Sequence, residues 1–114
     1  MVLIDQLAHV IFQILLKNLN NYKKVRDINF TKQDLIDFEE KIVSLWEDGQ
    51  IRAPVHLSHG NEEQLIKIFS VIDKDDYVFS TWRSHYHALL HGLTPDWVEN
   101  KILEGKSISL CNLD

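Results

Sequence analysis

Five of the six histidines of this 114-residue chain, His56, His59, His85, His87 and His91, fall within residues 49–92, and any chemistry is expected there. An imidazole near its ordinary pKa can donate or accept a proton at neutral pH, which makes His56 the candidate acid–base group. His87 and His91 are four apart and share a helix face, as two ligands of a zinc ion would. His85 lies out of step with them, no intervening glutamate marks a zincin, and a third ligand would have to come from another segment. Glu62 and Glu63 can be read as a paired acid site or as ordinary first-turn acids facing a helix dipole. Trp82-Arg83 joins an aromatic ring to a guanidinium just ahead of His85.

The elements that must position these groups follow from local signals. Pro54 excludes Ala53 from the helical basin, so residues 50–57 are expected to be extended and His56 to lie on a short connection. Ser58 or Asn61 is expected to cap the next helix, whose buried face is Leu65, Ile66, Ile68, Phe69 and Ile72. Asp73-Lys74-Asp75-Asp76 breaks it. Residues 77–81 then form a strand-like lead into a helix that carries Trp82-Arg83 at its start and ends at Gly92. Upstream, Thr31 with Asp34 opens a helix whose stripe is Leu35, Ile36, Phe38, Ile42, Val43, Leu45 and Trp46. Downstream, Thr94-Pro95 opens a last helix with Trp97, Val98, Ile102 and Leu103, closing at Gly105.

The ends read as scaffold. In residues 1–19, Leu3, Leu7, Val10, Ile11, Ile14 and Leu15 recur at helical spacing, giving an amphipathic helix with a broad apolar face. Packing against protein is the expected use of that face, with membrane association as the alternative. Asp5 and His9 interrupt the apolar run, no basic segment precedes it, and its unbroken core is too short to span a bilayer. Residues 18–29 are a polar, basic connector, and residues 107–114 a tail or an unpaired strand.

Composition is that of one soluble globular domain at most: 45% apolar, 25% charged, two prolines and four glycines. So short a chain buries under about 70% of its unfolded surface. A net charge of −5 argues against nucleic acid or an anionic membrane as the main partner. Cys111 stands alone, which excludes an internal disulfide and fits a reducing, cytoplasmic setting.

Taken in order, His56-Leu57, Gly60-Asn61-Glu62, Asp76-Tyr77-Val78, Trp82-Arg83-Ser84-His85, Gly92 and Glu104-Gly105-Lys106 resemble the N-terminal part of the alpha subunit of thiamin-diphosphate-dependent 2-oxo acid dehydrogenases, the pyruvate, acetoin and branched-chain type. The resemblance covers residues 47–106 and extends loosely back to residue 31. It implies His56 as a catalytic residue at the active-site mouth. It also implies Trp82 and Arg83 as binders of the cofactor's diphosphate, with the indole N–H of Trp82 replacing the phenol of the family's tyrosine. The plain alternatives are a solvent-facing His56, a core Trp82 and a surface-paired Arg83. Thiamin diphosphate with magnesium, and a beta-type subunit, are the implied cofactor and partner.

Several family features have no counterpart. The Gly-Asp-Gly segment and the asparagines that ligate magnesium are absent, Gly105-Lys106-Ser107-Ile108-Ser109 stands where a Gly-Gly-Ser-Met-His run is usual, and Glu63 replaces an alanine. The expected fold is therefore mainly α, with four or five helices and no complete sheet. It corresponds to the N-terminal helical region of a thiamin-diphosphate-binding α/β fold, cut before its central parallel sheet. Residues 1–30 form helix and connector, 31–106 the dehydrogenase-like region and 107–114 the tail. The expected function is that of such a fragment, inactive as an isolated chain and associating with itself or a partner. The alternative is a free-standing helical interaction module without cofactor.

Overall fold

The computed structural model describes residues 23–80 and 83–106, and within them the chain is helical, with no strand. Four helices occur among the described residues: α1 (Lys32–Glu47), α2 (Glu62–Ser70), α3 (His85–Leu90) and α4 (Pro95–Leu103). This agrees with a mainly α reading. The proposed front helix within residues 1–19, the indole of Trp82 and the tail at 107–114 lie outside the described residues.

Each helix start has a local cause. At α1, Thr31 Oγ1 accepts from the Asp34 N–H at 3.1 Å and Asp34 Oδ2 accepts from the Thr31 N–H at 2.8 Å, a reciprocal cap that satisfies two otherwise orphaned donors. Thr94 caps α4 by accepting from the Trp97 N–H at 3.3 Å, with Pro95 in the first turn. The expected capping of α2 by a Ser58 or Asn61 side chain is not found. Asn61 stands at the cap with φ 61° and no side-chain bond, and the Glu62 carboxylate accepts from the Gly60 N–H instead.

Helix ends are equally local. After α3, Gly92 takes φ +120° while its N–H donates to Leu89 O and the Leu93 N–H donates to Ala88 O. That pair of bonds closes a helix only when the residue between adopts a left-handed backbone, which glycine does at least cost. The same bond pattern ends α1, through Gly49 N–H to Trp46 O and Gln50 N–H to Leu45 O.

The core is assembled from Leu35, Phe38 and Ile42 of α1, Phe69 of α2, Tyr86, Leu89 and Leu90 of α3, and Val98 and Ile102 of α4, with Ile51 from the crossing segment. Spacings of three, four and seven on α1 put its apolar residues on one face, and each fully buried aliphatic there contributes about 1.5–3 kcal/mol. α3 lies centrally, packed on both α2 and α4, while α1 packs on α2. On α2 only Phe69 of the five expected apolar residues is fully buried; the others are half-buried at the rim.

The basic connector has a role that composition hid. Arg26 Nε donates to Phe69 O at 3.1 Å and Ile72 O at 3.0 Å, and its Nη2 donates to Leu90 O at 2.8 Å. The guanidinium sits 6.0 Å from the centroid of the Phe69 ring. One cation thus gathers carbonyls at the C-terminal ends of α2 and α3, where the helix dipoles are negative.

Candidate functional site

The loop carrying His56 is held from both sides. Val55 and Leu57 line a groove of about 280 Å³ with Ile42, Val43 and Trp46 of α1. His56, between them in sequence, is half-buried. Just beyond, the backbone turns sharply: His59, Gly60 and Asn61 have φ of 20°, 94° and 61°. Such values cost non-glycine residues energy and persist only where surrounding contacts impose them.

Two buried carboxylates impose them here. Glu39, on α1, is 4% exposed and accepts from the Ser58 N–H at Oε1 (2.5 Å) and from the His59 N–H at Oε2 (3.0 Å). Glu62, on α2 and 6% exposed, accepts the Gly60 N–H at 3.0 Å and the Tyr86 hydroxyl at 3.0 Å, both at Oε1. Three successive loop amides therefore converge on anionic oxygens supplied by the chain itself, in the way backbone nests bind anions.

Both carboxylates also reach the start of α3. His85, fully buried, brings Nδ1 to 3.8 Å from Glu39 Oε1, a distance at which charge matters but no direct hydrogen bond forms. Its ring meets Phe38 edge-on at 6.3 Å. Burial opposes ionisation of Glu39, but the His85 imidazole and the Ser58 and His59 amides outweigh it and hold its pKa below the ordinary 4.5. Glu62 follows the same pattern: burial raises its pKa, and its own amide, the Gly60 amide and the Tyr86 hydroxyl bring it below the ordinary value. Burial first, then the two carboxylates, pushes the Tyr86 phenol far up, so Tyr86 is a permanent donor.

Among the residues singled out from the sequence, the His56 loop is linked through Glu39 and Glu62 to the first turn of α3, which follows Arg83. Arg83 is exposed and has no hydrogen-bond or ion-pair partner among the described residues. His87 and His91 do share a face, both against the Phe69 ring with centroids 5.8 and 5.9 Å away. Their nitrogens are engaged elsewhere: His87 Nδ1 with the Ser80 hydroxyl, His91 Nε2 with Asp76 O at 2.9 Å. A carbonyl only accepts, so His91 Nε2 is the donor to Asp76 O, and Nδ1 faces Arg26 Nη2 at 3.5 Å. Glu62 and Glu63 are not a pair, since one is buried and the other exposed. No group of three or more His, Cys, Asp or Glu that could hold a metal ion occurs among the described residues.

Sequence reasoning missed Glu39. Its position four residues after Leu35 placed it on the buried stripe, and a charge on such a stripe signals a buried partner.

The chain is 33% identical over 76 residues to the pyruvate dehydrogenase E1 component subunit alpha of Porphyra purpurea, covering 58% of this chain and 22% of that protein. It is 33% identical over 84 residues to the subunit of the same name from Rickettsia bellii (strain RML369-C), covering 70% and 26%. Against the chloroplastic alpha-3 subunit of Arabidopsis thaliana it is 31% identical over 74 residues, covering 65% and 17%. The chain thus spans about a sixth to a quarter of the length of the curated relatives it matches. These partial similarities support kinship with E1 alpha subunits without fixing a specific type. No protein-family profile matches the chain, and no solved structure matches it.

Proposed function

We infer that the chain serves as the N-terminal helical part of the alpha subunit of a thiamin-diphosphate-dependent 2-oxo acid dehydrogenase. The observation that supports this most is that the two segments implied by the resemblance, the His56 loop and the turn at Arg83, are tied together by buried carboxylates. His56 would exchange a proton with the substrate or its acyl product at the site mouth. Arg83, exposed and unpaired among the described residues, fits two oxygens of a diphosphate, with Trp82 beside it in sequence. Ligands for magnesium do not fit: the described residues contain no suitable group, so the metal would have to be held elsewhere. When bound, thiamin diphosphate supplies the carbanion chemistry that decarboxylates a 2-oxo acid; this chain contributes orientation, one cationic contact and a proton carrier.

Alone, that is too little for a site. A charged hydrogen bond contributes roughly 1.5–3 kcal/mol, and two such contacts, after ligand immobilisation, leave millimolar affinity at best. Calorimetry with magnesium is expected to show no micromolar binding of thiamin diphosphate to the isolated chain. The positive test is a chimera in which residues 31–106 replace the matching stretch of a pyruvate dehydrogenase alpha subunit, assembled with its beta-type partner. Decarboxylation that is lost on His56→Ala, and a weakened cofactor affinity on Arg83→Ala, are expected. A folded, assembled and inactive chimera would refute the reading.

A second reading, a helical interaction module, is favoured by the large apolar side chains left open: Tyr77 is 92% exposed, Phe79 95% and Trp46 58%. A folded chain that binds a protein through Tyr77 and Phe79, with a chimera that stays inactive, would select it.

A further inference from the structure

We propose that Glu39 is the positioning residue that sets His56 and Arg83 in register, and that its two carboxylate oxygens act as separate anchors for the loop. This rests on the proposed function for why the register matters, but the physical claim stands on the geometry alone.

Glu39 bonds the loop and faces the start of α3. Its oxygens take two consecutive loop amides, two and three residues after His56, while its Oε1 faces His85, two residues after Arg83. Glu62 makes a second tie between the same segments, from Gly60 to Tyr86. The two ties differ in a way that can be measured. Glu62 uses a single oxygen, Oε1, for the two bonds that join Gly60 to Tyr86. Glu39 uses one oxygen for each amide. An amide side chain has one acceptor oxygen, so Glu62→Gln can keep both bonds whereas Glu39→Gln must drop one. A loop with left-handed backbone at Gly60 and Asn61 relaxes when such a constraint is lost, and the freed segment begins at Ser58, two residues after His56.

The groups facing Glu39 are His85 and Tyr86 from α3 and the Ser58 and His59 amides from the loop, while the His59 ring acts on Glu62. None of these supplies a second carboxylate to the same amides. Glu39 is therefore not replaceable by a neighbour.

The test uses the full 114-residue chain with Cys111→Ser and a nitroxide on Arg83→Cys, reading paramagnetic relaxation at His56 by NMR, with the core amide of Val98 as internal reference. The expected result is that Glu39→Gln changes the enhancement at His56 and moves the amide resonance of Ser58 or His59, while Val98 and the His56 enhancement in Glu62→Gln stay as in the parent. A merely structural carboxylate would lower the melting temperature but leave the enhancement in the folded population untouched, and that outcome overturns the proposal. Equal effects of the two glutamine variants overturn it as well. Should Glu39→Gln not fold, acid titration of the parent decides. The Ser58 and His59 amide shifts and the His56 enhancement must then change together as Glu39 takes up its proton; independence of the three is a refutation. An inactive chimera with this NMR result intact would defeat the functional reading and not the positioning role, and an active chimera without it would do the reverse.

Discussion

A carboxylate removed from water survives only if donors replace the solvent, and Glu39 has two amides and an imidazole arranged for that purpose. Glu39→Ala strands the Ser58 and His59 amides and should destabilise the fold by about 3 kcal/mol, measured by urea denaturation. Because its folded pKa lies below the ordinary value, this contribution is present above about pH 4.5 and is lost as pH falls through the folded value. His87 acts in a higher window. Burial lowers its pKa below the ordinary 6.5, so in acid the unfolded chain binds a proton that the folded chain resists. Stability should therefore decline as pH falls from about 6.5, and His87→Gln should flatten that decline in denaturation curves recorded at pH 7.5 and below.

At the scale of elements, the fold is held by helix ends as much as by helix faces. Gly92 closes α3 with φ +120°, and Gly92→Ala should cost roughly 1–2 kcal/mol although no atom lies within 4 Å of the added methyl carbon. The strain is in the backbone and not in the space around it. Arg26 joins α2 to α3 through three carbonyls, so Arg26→Met, which keeps an apolar stem over Phe69, should cost about 1.5–3 kcal/mol. Hydrogen exchange would show the loss concentrated at the C-terminal turns of those two helices. A uniform loss across all four would contradict the assignment.

For the whole molecule, the open aromatic side chains set the expectation. Tyr77 and Phe79 lie at opposite phase from half-buried Val78 and Ser80, so one side of that segment rests on the protein and the other is bare. No helix among the described residues is long and apolar enough to cross a membrane. Tyr77→Ser with Phe79→Ser should leave the melting temperature within about 1–2 °C and reduce self-association or partner binding in sedimentation velocity. A chain whose sedimentation is identical with and without both aromatics would show that this side is not an interface.

Residues close in sequence determined much of this protein before any packing was known. The reciprocal cap at Thr31, the Pro95 start of α4 and the breaks at Gly49, Gly92 and Gly105 each depend on neighbours within about five positions, where propensity and backbone sterics act directly. The resemblance carried in the order of those motifs matched the partial kinship with E1 alpha subunits. What the sequence could not disclose is which polar groups meet across long separations. Glu39 finds amides 19 and 20 residues on, and Arg26 finds carbonyls 43 to 64 residues away. A charge on an apolar stripe, as at Glu39, can mark a group that leaves water, but which distant donors replace the solvent is decided only by the packed tertiary structure.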